Sequence, residues 1–274
     1  MQHLAEIEVI SLGASVFYKQ AESLQQIGGQ LGHDFFDAVQ TYCREMAESV
    51  EQQGQGSARL IWYATLALLR CVASSPAAAV KALGTRLEGK IGDIEEDVLE
   101  DDRLHDGESD DLSTNDLEPA SLHDSLHTDA KRLQVLIDEA KRLSGKAGDP
   151  KLAALITHLD GLIKDGFAPV VFCRYVATAH YVADELRKHY AKSNILIDAV
   201  TGELSPEERR EKIEAMEEGE QRILVATDCL SEGINLQHLF TAVVHYDLAW
   251  NPTRHEQREG RVDRFGQQAP EVRC

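Results

Sequence analysis

RILVATDCLSEGINLQHLFTAVVHYDLAWNPTRHEQREGRVDRFGQ, residues 222–267, reads as strand, loop, strand and helix. Ile223-Leu-Val-Ala226 is a short apolar run of the kind that a parallel sheet buries on both faces. It stops at Thr227-Asp228, and a loop carrying Gly233 follows. Ala242-Val-Val244 is a second such run and ends in His245-Tyr-Asp247. Asn251-Pro252 has the form of a helix N-cap with proline in the first turn. Beyond it Gln257, Arg261 and Arg264 fall at i, i+4 and i+7, which places an amide and two guanidiniums on one helix face.

A permanently charged planar fork suits phosphate oxygens, and such a helix would begin at the carboxyl edge of an open sheet, where doubly wound folds bind ligands. The same residues also fit a solvated basic face with surface ion pairs to Glu256, Glu259 and Asp263. The residues alone leave both readings open.

Working outward, the rest of the carboxyl half repeats the alternation. Lys151 to Lys164 reads as a helix, Pro169 to Cys173 as a strand ending in Arg174-Tyr175, and Ala177 to Tyr190 as a helix. Ile195 to Val200 is a strand ending in Thr201-Gly202, and Ser205-Pro-Glu-Glu208 is a capping box opening a helix that runs to Met216. Four strands alternating with helices specify an α/β fold: an open, mostly parallel sheet with helices on both faces, from residue 149 to 274. Upstream, residues 1–92 form an all-helical segment. Phe35, Phe36 and Val39 mark an amphipathic helix, Gly28-Gly29 and Gly32 a break, and Ser57 to Ala73 a core helix. Ser75-Pro76 caps the next helix. Residues 123–148 hold a connecting helix from Ala130 to Leu143.

Between these lies an acidic linker, residues 93–122. Asp93 to Glu118 carries thirteen acidic residues against the single Arg103, a net of −12 out of the chain's −19. Such a run has too little apolar surface to order itself. The remaining −7 leaves room for a local basic footprint around Arg174, Arg254, Arg258 and Arg261. No apolar run approaches a membrane span, so no membrane partner is expected. The five cysteines are scattered and form no C-x-x-C pair, which fits reduced thiols in the cytoplasm.

Three patterns do not survive inspection. Gly84 to Lys90 has P-loop spacing, but Ile91 replaces the hydroxyl and a helix precedes it; Ser144-Gly-Lys146-Ala147 fails likewise. His123 and His127 stand four apart without the glutamate of H-E-x-x-H, so no metal ligands are assigned.

Gln257-Arg-Glu-Gly-Arg261-Val-Asp-Arg264 matches the Q-x-x-G-R-x-x-R core of motif VI in superfamily-two helicases and translocases, and Ala226 to Leu236 matches their motif V. The lead-in Asp247-Leu-Ala-Trp-Asn-Pro252 and the trailing Phe265-Gly-Gln267 resemble the SWI/SNF-like branch, and within it bacterial RNA-polymerase recycling ATPases and antiphage-defence helicases. The helical stretch around Leu68-Leu-Arg70 and Ala73-Ser-Ser-Pro76 resembles the piece preceding the second motor lobe in those proteins.

The resemblance implies a second RecA-like lobe closing over ATP. It assigns Arg261 and Arg264 as arginine fingers, Gln257, Gly233 and Asn235 to the nucleotide, and Arg174, Thr201, Gly202 and Thr227 to a nucleic-acid backbone. Glu232 stays unassigned, and Trp250 is expected to pack under the motif VI helix. Magnesium would be held mainly by the first lobe, which also supplies the water-activating carboxylate. No P-loop lysine or D-E-x-H box is present, so the chain reads as a piece of a larger motor that does not turn over ATP alone. Double-stranded DNA and the first lobe are the implied partners, with RNA polymerase or defence subunits beside them. A catalytically inactive RecA-like interaction module, its acidic segment binding a basic partner, is the competing reading.

Overall fold

The computed structural model describes residues 30–51, 55–88, 130–231, 236–249 and 252–274. The acidic run, His123, His127, Glu232, Gly233, Asn235, Trp250 and Asn251 lie outside the described residues.

In the carboxyl half, among the described residues, four short strands build one sheet: β1 Pro169–Phe172, β2 Ile195–Val200, β3 Gln221–Ala226 and β4 Ala242–His245. Their order is β2-β3-β1-β4 and every pairing is parallel, with Val170 opposite both Leu224 and Val243. Residues 271–274 run beside β4: Arg273 bridges to Ala242 in parallel sense, and its carbonyl accepts the Val243 amide at 2.8 Å.

Strand periodicity splits the buried side chains between two faces. Val171, Ala199, Ile223 and Val225 face a layer made by two helices, Pro150–Lys164 and Val176–His189, through Leu152, Leu159, Val182 and Leu186. Val170, Phe172, Leu224 and Ala226 face the other layer, with Ile213, Met216, Leu230, Phe240 and Val262. Both faces are covered, which is why each strand reads as an unbroken apolar run.

Among the described residues four helices lie ahead of residue 150: α1 Gln30–Glu51, α2 Gln55–Ser74, α3 Pro76–Leu87 and α4 Ala130–Arg142. The helices of the sheet follow as α5 Pro150–Lys164, α6 Val176–His189, α7 Pro206–Ala215 and α8 Pro252–Glu259. Val39, Cys71, Leu83, Leu133 and Ala140 are fully buried among the first four, and Tyr175 reaches into the same core from the sheet side. Gly32 lies inside α1 rather than breaking it. One glycine is tolerated there because the apolar face of Phe35, Val39, Tyr42 and Cys43 holds the helix down.

Local capping follows the sequence. Ser75 accepts from the Ala78 amide to open α3, Asp149 from Leu152 to open α5, and Ser205 with Glu208 forms the expected capping box of α7. After α5, Gly166 takes φ +86 and lets Phe167 return its amide to the Leu162 carbonyl. Gly84 is helical, as the rejection of its P-loop-like spacing requires.

Candidate functional site

Because all four strands are parallel, Arg174, Thr201-Gly202, Thr227-Asp228 and Tyr246-Asp247 leave the sheet at the same edge. The expected convergence of strand ends is present. The Thr227 amide donates to the Val200 carbonyl at 3.2 Å. Arg209 of α7 then spans the two loops, donating to the Gly202 carbonyl and to the Cys229 carbonyl at 3.1 Å each.

Between these ties sit two hydroxyls. Thr201 and Thr227 are 1% and 0% exposed, and neither Oγ1 has a hydrogen-bond partner among the described residues. A buried hydroxyl left unpaired costs about 1–3 kcal/mol. Two of them at adjacent strand ends form a locus that phosphate oxygens would satisfy, once the atoms now covering them move aside. Arg174 is half-buried: its amide donates to Asp247 Oδ2 at 2.9 Å, and its guanidinium lies 5.7 Å from the Tyr175 ring centre.

Helix α8 ends at Glu259, so Gln257, Arg261 and Arg264 do not share one helix face. Gly260 still returns its amide to the Glu256 carbonyl. Arg261 and Val262 then make the tighter bonds to Arg258 and Glu259 three residues back, and the chain leaves the helix in turns. Gln237 and Gln267 clamp these turns in place. Gln237 donates to the Phe265 carbonyl at 3.2 Å, and Gln267 to the carbonyls of Phe240 and Val262 at 3.2 and 2.9 Å. On this clamped turn Arg261 is half-buried and already engaged within the fold. Arg264 is exposed and its guanidinium meets no partner among the described residues; Gln257 is likewise exposed and unpartnered among them.

The buried cation of the site is Arg258, which the sequence marked only as part of a surface footprint. It is 2% exposed and grips Asp228 with two parallel bonds, Nε to Oδ1 at 2.6 Å and the second terminal nitrogen to Oδ2 at 2.8 Å. Its other terminal nitrogen donates to the Asp247 carbonyl at 2.9 Å. A bidentate charged fork of this kind fixes orientation as well as distance. It locks the end of β3 to α8, and so the Thr227 loop to the turn of Arg261. The one signal in the sequence was Asp228, a carboxylate directly after an apolar strand.

His245 stands beside this pair. Nε2 lies 3.3 Å from Glu259 Oε1, Nδ1 lies 3.5 Å from Arg258, and the ring meets His255 edge-on at 4.6 Å. Burial lowers its pKa below the ordinary value of 6.5; the Glu259 bond opposes this, and the Arg258 and His255 charges add to it. The folded state therefore favours the neutral imidazole. The stability it contributes is present above about pH 6.5 and is lost as pH falls below that. Unfolding free energy is expected to fall as pH drops through about 6.5, with a shallower slope in His245→Gln. Urea unfolding at several pH values measures both, and equal slopes would remove His245 from this account.

Residues 150–266 match the model described as the helicase conserved C-terminal domain. An ATP-dependent RNA helicase FAL1 from Meyerozyma guilliermondii is 30% identical over 103 residues, 38% of this chain and 25% of the relative. Eukaryotic initiation factor 4A from Dictyostelium discoideum is 30% identical over 138 residues, 50% and 32% of the two chains. The uncharacterized ATP-dependent helicase YqhH from Bacillus subtilis is 28% identical over 140 residues, 51% and 23%. The chain thus spans between about a quarter and a third of these relatives. Among solved structures, the C-terminal part of the Fun30 ATPase domain covers 89% of this chain and 79% of its own at 14% identity, TM-score 0.49. The Sulfolobus solfataricus SWI2/SNF2 ATPase core in complex with dsDNA covers 72% and 36% at 18% identity, TM-score 0.40. The matched span, residues 150–266, is the one that builds the parallel sheet and carries the Arg258–Asp228 pair at its carboxyl edge, so this part of the chain is similar to the helicase conserved C-terminal domain.

Proposed function

We propose that this lobe belongs to an ATP-driven DNA translocase of the SWI/SNF-like branch, in which it closes over ATP and grips a nucleic-acid backbone. The observation that carries the proposal is the Arg258–Asp228 lock, which holds the motif V loop and the motif VI turn in one fixed register. Two ligands then address one edge. The exposed guanidinium of Arg264 and the amide of Gln257 are available to nucleotide, and half-buried Arg261 lies between them along the chain. The buried, unpaired hydroxyls of Thr201 and Thr227, beside Gly202 and Arg174, would meet phosphates of the nucleic acid only once the atoms covering them are displaced.

The residues present fit ATP in one respect: an arginine without a partner among the described residues stands on a turn clamped from both sides. ATP supplies the phosphoryl bond whose cleavage drives movement. The part of this chain is to hold positive charge where the phosphates lie, and among the described residues no group of three His, Cys, Asp or Glu side chains is placed to hold a metal ion. Magnesium and the water-activating carboxylate are assigned to a first lobe on the motif V and motif VI resemblance alone. The five cysteines are free thiols, four of them buried, which supports a reducing, cytoplasmic setting.

The curated relatives include RNA helicases, whereas the Asp247-to-Pro252 lead-in and Phe265-Gly-Gln267 favour the DNA-translocating branch. Backbone contacts from hydroxyls and arginines carry no sequence information but do respond to helix form. ATP hydrolysis by the whole protein is therefore expected to rise about tenfold or more with duplex DNA and much less with RNA. Stimulation by RNA alone would overturn the DNA assignment while keeping the motor.

A further inference from the structure

We infer that Asp247 is a positioning residue, through which the helical segment ahead of the sheet sets the orientation of the turn carrying Arg261 and Arg264. The inference rests on the proposed role of those arginines toward nucleotide. It does not rest on nucleotide or nucleic acid being bound.

Asp247 lies just past β4 and is 8% exposed. Three separate parts of the chain hold its carboxylate. The Ser74 hydroxyl donates to Oδ2 at 2.8 Å, the Arg174 amide to the same oxygen at 2.9 Å, and the Lys151 ammonium to Oδ1 at 2.6 Å. Burial raises the Asp247 pKa, but the Lys151 charge and these bonds outweigh it, so the carboxyl is held below its ordinary value and ionised. Ser74 closes α2, and its hydroxyl also meets Thr178 of α6 at 2.8 Å. Lys151 reinforces the joint by donating to the Ser74 carbonyl at 2.9 Å while resting 4.1 Å from the Tyr246 ring centre.

On its other side Asp247 offers its backbone carbonyl to Arg258 at 2.9 Å, and Arg258 holds Asp228. A continuous run of short bonds thus leads from the last residue of α2, through Asp247, to the base of the motif VI turn. Other ties cross between the two parts, Ser75 to Thr178 at 2.8 Å and the Gly145 amide to Tyr181 at 2.9 Å, but both end on α6 and neither reaches Arg258. Tyr175 alone, among the described residues from 150 onward, enters the buried core of the first four helices. Beside the joint a cavity of about 100 Å³ opens between Phe35, Phe36, Val72, Pro76 and Leu143. Where apolar packing is thin, a buried and fully paired polar joint fixes geometry.

Amide hydrogen exchange on the 274-residue chain, without ligand, tests this in wild type, Ser74→Ala, Ser74→Thr and Asp247→Asn. Ser74→Ala deletes a single hydroxyl. Asp247→Asn keeps an acceptor for Ser74 and Arg174 but turns an amide toward Lys151. Peptides covering residues 252–264 are expected to exchange about tenfold faster or more in Ser74→Ala and Asp247→Asn, while those of β2 and β3 keep wild-type rates. Ser74→Thr, which retains the hydroxyl, stays within about twofold of wild type. Unchanged exchange over 252–264 in both variants overturns the inference. So does an acceleration spread evenly over the sheet, because that marks a general loss of stability rather than a joint. The functional reading fails separately, by ATP hydrolysis that does not need Arg261 and Arg264, and that failure would leave the exchange result standing.

Discussion

Arg258→Ala lowers the unfolding free energy by about 3–5 kcal/mol, the range for removing one partner of a buried ion pair. The side chains of Arg258 and Asp228 are 3% and 14% exposed, so water cannot replace the lost fork. Truncation strands the Asp228 carboxylate and leaves the Asp247 carbonyl without its donor. It also removes a guanidinium lying 5.4 Å from the ring centre of Phe172, the last residue of β1. Among the described residues the other cation near enough to help is Arg254, whose nitrogen is 3.7 Å from Asp228 Oδ2, too long for a good hydrogen bond. Arg258→Lys restores the charge without the fork and is expected to recover less than half of the loss. Urea unfolding reads this directly, as a lower midpoint at unchanged slope. A change below about 1 kcal/mol would mean that the pair is solvated and that the lock between motifs V and VI does not exist.

How much of this was legible before the fold was known depends on the range of the interactions. The four strands were readable because a parallel sheet covered on both faces demands unbroken apolar runs, and Val170-Val-Phe172 and Ile223 to Ala226 supply them. Ser75 and Ser205 were readable because a cap and its amide lie three residues apart. The same locality misled at α8. Gln257, Arg261 and Arg264 keep helical spacing, yet the chain leaves the helix at Gly260, where the missing Cβ lowers the cost of loosening into turns. Gly32 misled in the opposite direction, since packing of α1 outweighs its poor propensity.

The polar joints were invisible for a different reason. Arg258 and Asp228 are thirty residues apart, and Asp247 and Ser74 are separated by 173. No periodicity connects such partners; only the β2-β3-β1-β4 strand order brings them to one edge. A buried arginine and an exposed one look alike in a sequence, so Arg258 passed as part of a basic footprint, whereas the fold buries it and leaves Arg264 exposed.

The second large effect falls on chemistry rather than stability. Arg264 makes no contact with a partner among the described residues, so Arg264→Ala deletes nothing those residues need, and its unfolding free energy should stay within about 0.5 kcal/mol of wild type. Arg261 is half-buried and engaged within the fold, so its substitution carries a modest stability cost as well. A guanidinium that meets phosphate charge as it builds in the transition state is worth about 10³–10⁵ in rate where such residues have been tested. Losses of about a hundredfold or more are accordingly expected from either substitution, in turnover rather than in nucleic-acid binding. That split matters: a residue serving only the fold would lower both together.

The measurement that bears most directly on the motor reading is DNA-stimulated ATP hydrolysis by the full-length protein that carries this lobe, with Arg261→Ala and Arg264→Ala beside wild type. The account predicts stimulated turnover in wild type, a fall of about a hundredfold or more in each variant, and DNA affinity kept within a few-fold. Equal turnover in all three proteins, or no hydrolysis in any, would contradict it and leave the lobe as an interaction platform whose motif VI arginines do not act on phosphate.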